Sequence, residues 1–501
     1  MNRENQIRRT DGFLRREGIR AVFIMIILAS VVLRFFNLGA DFPENYTKSG
    51  ALYTDEGAYS GAAVACRLTG DWHIDGDFNP AVSLPVFQIA QFISFKLFGL
   101  SLESARRTEL FFFVLLLIAL YLLIAHFQGA EVALPALALI SVNYNTFVYS
   151  RVAFLEIPMC FFVVLSLWIA ARVGERHHLF FAVLTAAVFM LGIFTKTIAV
   201  FAFPLLIYVV LVKPIRREEK RREIGMIIAV VFAFSLFYYF FLAKPYWADV
   251  RLYYATNLYA RTQVSPAGMI RGLGKAIFYG YRVGPLLYPL FIFSVLYLIL
   301  QGRGGLREPL LWLAVIWFVL YLGLIASQNY VPPRYYTPLV VPAVIPPTLA
   351  LVRGLRDRRT SRPTWIIAAA IAACILFDGV QIIRTAAAPR YTWWETTQDV
   401  RRRIALEVGD LSDAVILSRF GSSLSLSTGI FSITEHLGTI SLEEKITAYQ
   451  PDYYICLGEI KAEIGAMLQR LDRTAVRLAS YDVFDNYYTG EPMNLYRLQS
   501  K

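Results

Sequence analysis

The chain has 501 residues, 57% of them hydrophobic, and a mean hydropathy of +0.50, which is too apolar for a soluble globular protein. Its formal net charge is +12, but the excess falls in short clusters between apolar runs, the pattern of cytoplasmic loops rather than of a nucleic-acid-binding surface. The four cysteines, Cys66, Cys160, Cys374 and Cys456, show no CxxC spacing and so build neither a zinc site nor a disulfide framework.

Residues 1–20 carry Arg3, Arg8, Arg9, Arg15, Arg16 and Arg20 and are expected to form a cytoplasmic basic tail. Ala21–Leu38 lacks a small-residue cleavage site and is read as a retained first span running outward. A long external loop, 39–105, follows and holds LYTDEGAYSGAA, in which Asp55 and Glu56 stand side by side in a run with no basic residue. Carboxylates at the edge of a bilayer are costly to desolvate, which makes this pair a candidate site. Within the loop, 84–100 is apolar but is interrupted by Pro85 and Lys96.

Charge parity decides how 84–100 lies. If it rests at the interface, spans at about 107–125, 131–149, 156–172, 178–194, 197–212, 225–243, 281–300, 309–327, 338–352 and 364–382 place every strongly basic connection inside, namely 172–178, 213–222, 301–308 and 353–362. If it crosses, all of these fall outside. The expectation is therefore an interfacial 84–100 and about eleven spans. The same parity gathers Arg106, Arg107, Arg151, Glu156, Lys196 and Arg334 on the side of Asp55.

Beyond the last span the composition turns soluble. Tyr391–Lys501 contains one helical run, WWETTQDVRRRIALEV, three short strand-like runs, AVILSR, DYYICLG and NLYRLQ, and a helix near 459–471. The expected architecture is a mainly α, polytopic membrane bundle over 21–390 with a C-terminal soluble α/β domain, 391–501, on the outer face.

The external set has the parts of a group-transfer site. Asp55 sits among small residues, Gly57, Ala58, Gly61 and Ala62, which leave room for a substrate. A carboxylate there can accept a proton from an acceptor hydroxyl. Lys196, Arg334, Arg106 or Arg151 can neutralise a leaving phosphate at headgroup level. From the residues alone other readings stay open. Asp55–Glu56 fits a solvated loop pair, Arg151 and Glu156 fit a turn ion pair, Lys196 fits a snorkelling side chain, and Arg334 fits a span anchor. The aromatic residues of 246–259 fit an interfacial belt better than a sugar platform. His73, with Asp71, Asp75 and Asp77 nearby, fits a solvated loop better than a metal site.

These motifs resemble the polytopic glycosyltransferases of the C superfamily, GT-C, that use polyprenyl-phosphate sugars. Within them the chain looks like the branch holding protein O-mannosyltransferases and the lipid A aminoarabinose transferase. The resemblance rests on YTDEGAYSGAA, SARRTELFFFVLLL, SRVAFLEIPMCFF, FTKTIAVFAFPLL and PPRYYTPLVVPAV, in family order over about residues 20–350. It implies an inverting transfer with no covalent enzyme intermediate and with Asp55 as general base. Glu56 would neighbour the base, and Glu156 would be the second acidic site. Lys196 and Arg334 would lie near the carrier phosphate, with Tyr335, Arg106, Arg107 and Arg151 completing the donor-binding set. Asn79-Pro80 replaces the His/Lys-Pro-Pro often seen in the family, which removes a cation or metal ligand and argues against a bound divalent metal. No other cofactor is called for.

The reading is thus an integral membrane enzyme, in the plasma membrane if the cell is prokaryotic. It moves a sugar, a hexose such as mannose, from a polyprenyl-phosphate carrier to a lipid, glycan or protein hydroxyl, with membrane lipids as neighbours and no nucleic-acid partner. The rivals are a sibling enzyme with a lipid or polysaccharide acceptor, a lipid-carrier flippase or transporter, and a membrane anchor for the C-terminal domain. A flippase expects charges at mid-bilayer on discontinuous spans, whereas here they sit at span ends.

Overall fold

The computed structural model describes residues 17–41, 43, 51–172, 177–257, 262, 265–301, 307–356, 362–482 and 491–500, with the side chains of 51–54 excepted. The basic tail through residue 16, and the parts of the basic connections at 173–176, 302–306 and 357–361, lie outside these residues.

The helices run in order as α1 (Glu17–Phe35), α2 (Ala51–Leu68), α3 (Pro85–Phe98), α4 (Leu102–Gln128), α5 (Ala130–Val142), α6 (Tyr144–Tyr149), α7 (Glu156–Ala171) and α8 (His178–Thr195). They continue as α9 (Phe203–Val212), α10 (Arg217–Tyr238), α11 (Trp247–Asn257), α12 (Pro266–Phe278), α13 (Leu287–Leu300), α14 (Pro309–Ala326), α15 (Thr337–Ala343), α16 (Ile345–Arg356) and α17 (Arg362–Ala387). Among the described residues, seven helical stretches are long and apolar enough to cross a membrane, and a pair bent by 105°, Pro266–Val283 and Leu287–Leu300, makes an eighth if it is one span.

Seven of the eleven expected spans coincide with these long helices, and the one read at 281–300 falls on the bent pair. The spans read at 131–149, 156–172 and 197–212 are shorter apolar helices, Ala130–Val142, Glu156–Ala171 and Thr197–Val212. Local chemistry explains two of these breaks. The Asn143 side chain accepts from Thr146 N at 3.1 Å and starts α6 as an N-cap, which ends α5 early. The 197–212 segment opens as a 3-10 turn, Thr197–Ala202, and becomes α-helical only at Phe203-Pro204, where proline is tolerated in the first turn. The 105° bend falls at Gly284, whose φ of +149° is in a region L side chains rarely adopt. The segment expected to lie at the interface, 84–100, holds α3, whose 14 residues make about 21 Å of helix against a hydrocarbon core of about 30 Å. It buries Phe87, Gln88, Gln91 and Phe95 and exposes Ile89, Ile93, Leu97 and Phe98.

The bundle has two chemically distinct ends. At one, Gln128 donates to Glu308 at 2.6 Å, Arg353 pairs with Glu308, and Arg356 pairs with Glu131 at 2.9 Å. These contacts join two of the connections that parity grouped together, 301–308 and 353–362, to the turn between α4 and α5. The other end, about 30 Å away along α4, begins at Arg106 and carries Asp55, Glu156, Lys196 and Arg334.

The C-terminal part adds α18 (Thr392–Val408), α19 (Gly421–Thr428), α20 (Leu442–Tyr449) and α21 (Ala462–Arg470) around one five-stranded sheet. Its strands, β1 (Val415–Ser418), β2 (Phe431–Thr434), β3 (Tyr453–Leu457), β4 (Arg473–Tyr481) and β5 (Met493–Ser500), lie in the order β2-β1-β3-β5-β4. β1 is parallel to β2 and β3, and β5 is antiparallel to β3 and β4. Alternation along β1 and β3 sends Leu417 and Tyr454 into a small core with α20 and α21. Ile416, Tyr453 and Ile455 point the other way, into the core that includes Trp393, Leu424 and the membrane helices. The sheet domain is thus packed onto the bundle.

Candidate active site

Asp55 lies near the start of α2, and Arg334 Nη2 reaches its Oδ2 at 2.6 Å. Arg334 Nε stands 3.5 Å from Glu156 Oε1, and the same oxygen receives Lys196 Nζ at 2.5 Å. Four residues from four distant segments therefore form one alternating chain, Asp55–Arg334–Glu156–Lys196. Their side chains are 23%, 5%, 1% and 12% exposed in that order, so Asp55 is the member open to a visitor.

Each member is placed by a break in the backbone. Glu156 opens α7, where its Oε2 accepts from the Leu155 N–H at 3.2 Å; a carboxylate at a helix N-terminus is favoured by the helix dipole. Lys196 is the extended residue that ends α8 and starts the Thr197 3-10 turn. Arg334 lies in the turn Pro333–Tyr336, entered from Pro332. Tyr335 stands between the two cations, its ring 4.8 Å from Lys196 Nζ and 5.6 Å from the Arg334 guanidinium. Phe154 stacks on Arg334 at 4.8 Å. These aromatic faces hold the cations without neutralising them. The chain of two acids and two cations is electroneutral.

Glu56 has a different set of partners from Asp55. Arg106 grips it with both prongs, Nε to Oε1 at 2.9 Å and Nη2 to Oε2 at 2.7 Å, and the Ala153 N–H adds a third bond at 2.9 Å. Arg106 Nη1 also donates to Leu38 O and Ala40 O, both at 2.6 Å. A buried bidentate pair of this kind fixes geometry. It locks the start of α2 to α4 and to the turn after α1.

The remaining residues singled out from sequence are elsewhere. Arg107 is surface-exposed and pairs with Glu103 at 3.3 Å, one turn away on α4. Arg151 donates to Phe36 O at 2.6 Å and Asn37 O at 2.9 Å, and it does not pair with Glu156. Arg106, Arg107 and Arg151 are thus not brought to the four-residue chain. His73 is not a simple solvated loop residue: it bridges Asp75 at 3.0 Å and Asp249 at 3.1 Å, and Asn79 donates to the other oxygen of Asp249 at 3.0 Å. These contacts tie the first loop to α11. Among the described residues no group of three or more His, Cys, Asp or Glu side chains is arranged to hold a metal ion.

Two neighbours are not singled out by sequence reasoning. Tyr59 sits one helical turn after Asp55, edge-on to Phe154 at 6.3 Å, and burial beside the Asp55 carboxylate pushes its phenol well above the ordinary range. The (i, i+4) spacing from Asp55 is the available signal. Glu109 is fully buried on α4, and neither carboxyl oxygen has a hydrogen-bond partner. Its sequence signal is its place in SARRTEL, one turn after Arg106.

The structure matches ArnT from Cupriavidus metallidurans bound to undecaprenyl phosphate with a TM-score of 0.64 at 13% identity, covering 96% of this chain and 98% of that one. It also matches the archaeal oligosaccharyltransferase AglB from Archaeoglobus fulgidus, in complex with an inhibitory peptide and a dolichol-phosphate, with a TM-score of 0.51 at 13% identity, covering 87% and 69%. The chain has the GT-C fold, and the resemblance read from its motifs is borne out. Residues 80–241, which include Glu156 and Lys196, match the family model described as dolichyl-phosphate-mannose-protein mannosyltransferase. An uncharacterized protein of Aquifex aeolicus (strain VF5) is 22% identical over 335 residues, 64% of this chain and 63% of that protein's length.

Proposed function

We propose that the chain is a membrane glycosyltransferase that moves a hexosyl group from a polyprenyl-phosphate carrier to a hydroxyl of a lipid, glycan or protein, with inversion at the sugar. The observation that carries this reading is the chain Asp55–Arg334–Glu156–Lys196, assembled from four distant segments at one end of a GT-C bundle.

The step balances as a single displacement. The Asp55 carboxylate takes the proton of the acceptor hydroxyl, and the acceptor oxygen forms a bond to the anomeric carbon. The bond from that carbon to the phosphate oxygen breaks, and its electron pair leaves with the polyprenyl phosphate. Lys196 and Arg334 stabilise that developing charge, Lys196 as a point charge and Arg334 as a fork. Because the resting chain is electroneutral, an incoming phosphate displaces Glu156 as the partner of Lys196, the more exposed of the two cations. Glu156 holds both cations in place until then. Glu56 and Arg106 position α2 and do not touch the reacting atoms. The active end and the C-terminal domain face the non-cytoplasmic side in this reading, as the positive-inside bias supports.

The test is mass spectrometry of surface glycans, glycolipids and glycoproteins from cells with and without the chain. A hexose missing from one acceptor in the deleted strain supports the reading. Identical glycan profiles under conditions where the chain is made would count against it.

A further inference from the structure

The transfer step makes no use of Glu109. This residue lies on α4 one turn inward of Arg106, is 0% exposed, and has no hydrogen-bond partner for either carboxyl oxygen among the described residues. α4 and α7 pack side by side, with Phe112 against Phe161 and Phe162 at 5.8 and 5.7 Å. One turn earlier on both helices, Glu109 meets the start of α7, where the Ile157 N–H acts on it without reaching hydrogen-bond geometry. The charges that face it are Glu156 on α7, Glu56 on α2 and Lys196 after α8, and the Cys160 thiol belongs to the same group.

The cations near Glu109 are already engaged, Arg106 by Glu56 at 2.7 Å and Lys196 by Glu156 at 2.5 Å. An ionised carboxyl at Glu109 would therefore be an unpaired buried charge facing two further carboxylates, which is costly. A second uncommitted group flanks Glu156. Tyr321 on α14 is 0% exposed, its hydroxyl has no partner among the described residues, and Glu156 is the leading charge that acts on it.

We propose that Glu109 is a positioning residue: it stands as the neutral acid in the resting protein and receives Glu156 when the carrier phosphate takes Lys196. The inference rests on the proposed transfer, in which Glu156 gives up Lys196. At that moment Glu156 keeps the Leu155 N–H at 3.2 Å and, of the two cations, Arg334 at 3.5 Å, so its buried charge needs new donors. The carboxylic O–H of Glu109 and the hydroxyl of Tyr321 are both uncommitted, and each can donate to it. No covalent bond is made or broken, and the proton stays on Glu109. Lys196 can then change partners while Glu156 stays in the site, and Glu109 acts on the carrier only through Glu156.

The experiment is infrared difference spectroscopy of the full chain in an ester-free detergent, with and without undecaprenyl phosphate, together with the dissociation constant of that lipid. Wild type minus Glu109→Gln is expected to show the C=O band of a protonated carboxyl at neutral pH. That band is expected to move to lower frequency when undecaprenyl phosphate binds, because the acid gains an acceptor. Glu109→Leu is expected to raise the dissociation constant at least tenfold, and Glu109→Gln, which keeps a neutral donor, to recover most of that loss. Adding Tyr321→Phe to Glu109→Leu is expected to weaken binding further. A carboxylate band in place of the acid band, a Glu109→Leu that binds as tightly as wild type, or a Glu109→Gln no better than Glu109→Leu overturns the proposal. If Glu109→Leu does not fold, the band and its shift decide. A wild type that does not bind undecaprenyl phosphate counts against the proposed function and removes the hand-over with it, whereas binding with an unmoved band removes the hand-over alone.

Discussion

The Gly57 N–H donates to Ser423 Oγ at 3.2 Å, and a Cβ added to Gly57 would stand 2.1 Å from the Ser423 backbone nitrogen. Two residues after Asp55, therefore, α2 lies flat against α19 of the sheet domain. A glycine inside a helix costs about 1 kcal/mol relative to alanine, and here it permits the close approach. Gly57→Leu is expected to push the sheet domain off α2, lower the thermal midpoint and cut transfer at least tenfold. Gly61→Ala is expected to be tolerated, since its nearest neighbour is Ser422 Oγ at 3.8 Å. Thermal unfolding of the two variants side by side checks this.

A second link between the same parts is the buried pair Asp77–Lys445, 2.6 Å apart with side chains 3% and 1% exposed. Lys445 also donates to Thr434 O and Leu437 O, and Asp77 accepts from Thr434 N. Lys445→Met leaves Asp77 buried without its cation, a loss of about 3–5 kcal/mol. The double variant Asp77→Leu/Lys445→Met is expected to recover a good part of that loss. A double-mutant cycle followed by denaturant unfolding or limited proteolysis of the sheet domain measures the difference.

Lys196 is the cation most able to change partners. Lys196→Ala is expected to raise the KM for the lipid-linked donor at least tenfold, because the leaving phosphate loses a point charge and Glu156 keeps only Arg334, at 3.5 Å. Lys196→Arg is expected to restore part of the donor affinity, though its fork does not reproduce the ammonium geometry. Steady-state kinetics over a range of donor concentrations separates this from simple snorkelling, which predicts an unchanged KM.

Sidedness has its own test. Leu406 on α18 is 83% exposed. In a Cys66→Ser background, Leu406→Cys is expected to react with a membrane-impermeant maleimide added to intact cells. Labelling only after the cytoplasm is opened would reverse the assigned orientation.

Much of this arrangement is legible in the sequence, for identifiable reasons. Hydropathy runs locate the long helices, because burial in a bilayer demands continuous apolar length. Charge parity groups Asp55, Glu156, Lys196 and Arg334 on one side of the membrane, and these four do meet. What parity does not encode is which neighbour each charge chooses. Arg106 and Arg151 share the end but turn to Glu56 and to the carbonyls after α1. Hydropathy overstates span length where a single residue carries the break, as Asn143 does by capping α6. In the sheet domain, the runs at β1, β3 and β5 are visible as apolar segments. β2 and β4 are the two edge strands; β2 alternates apolar residues with Ser432 and Thr434, and no residue of β4 is buried, so neither carries a strong pattern. The packing of α19 on α2 leaves no periodic trace beyond the small residues of GAYSGAA.

The most direct measurement of the central claim is Asp55→Asn in the purified, reconstituted chain, with donor binding and sugar transfer read separately. Asparagine keeps the size and the contact to Arg334 but cannot take a proton. The account predicts a folded protein that binds the polyprenyl-phosphate sugar and transfers it at least a thousandfold more slowly. Transfer at the wild-type rate would contradict it and remove Asp55 from the chemistry.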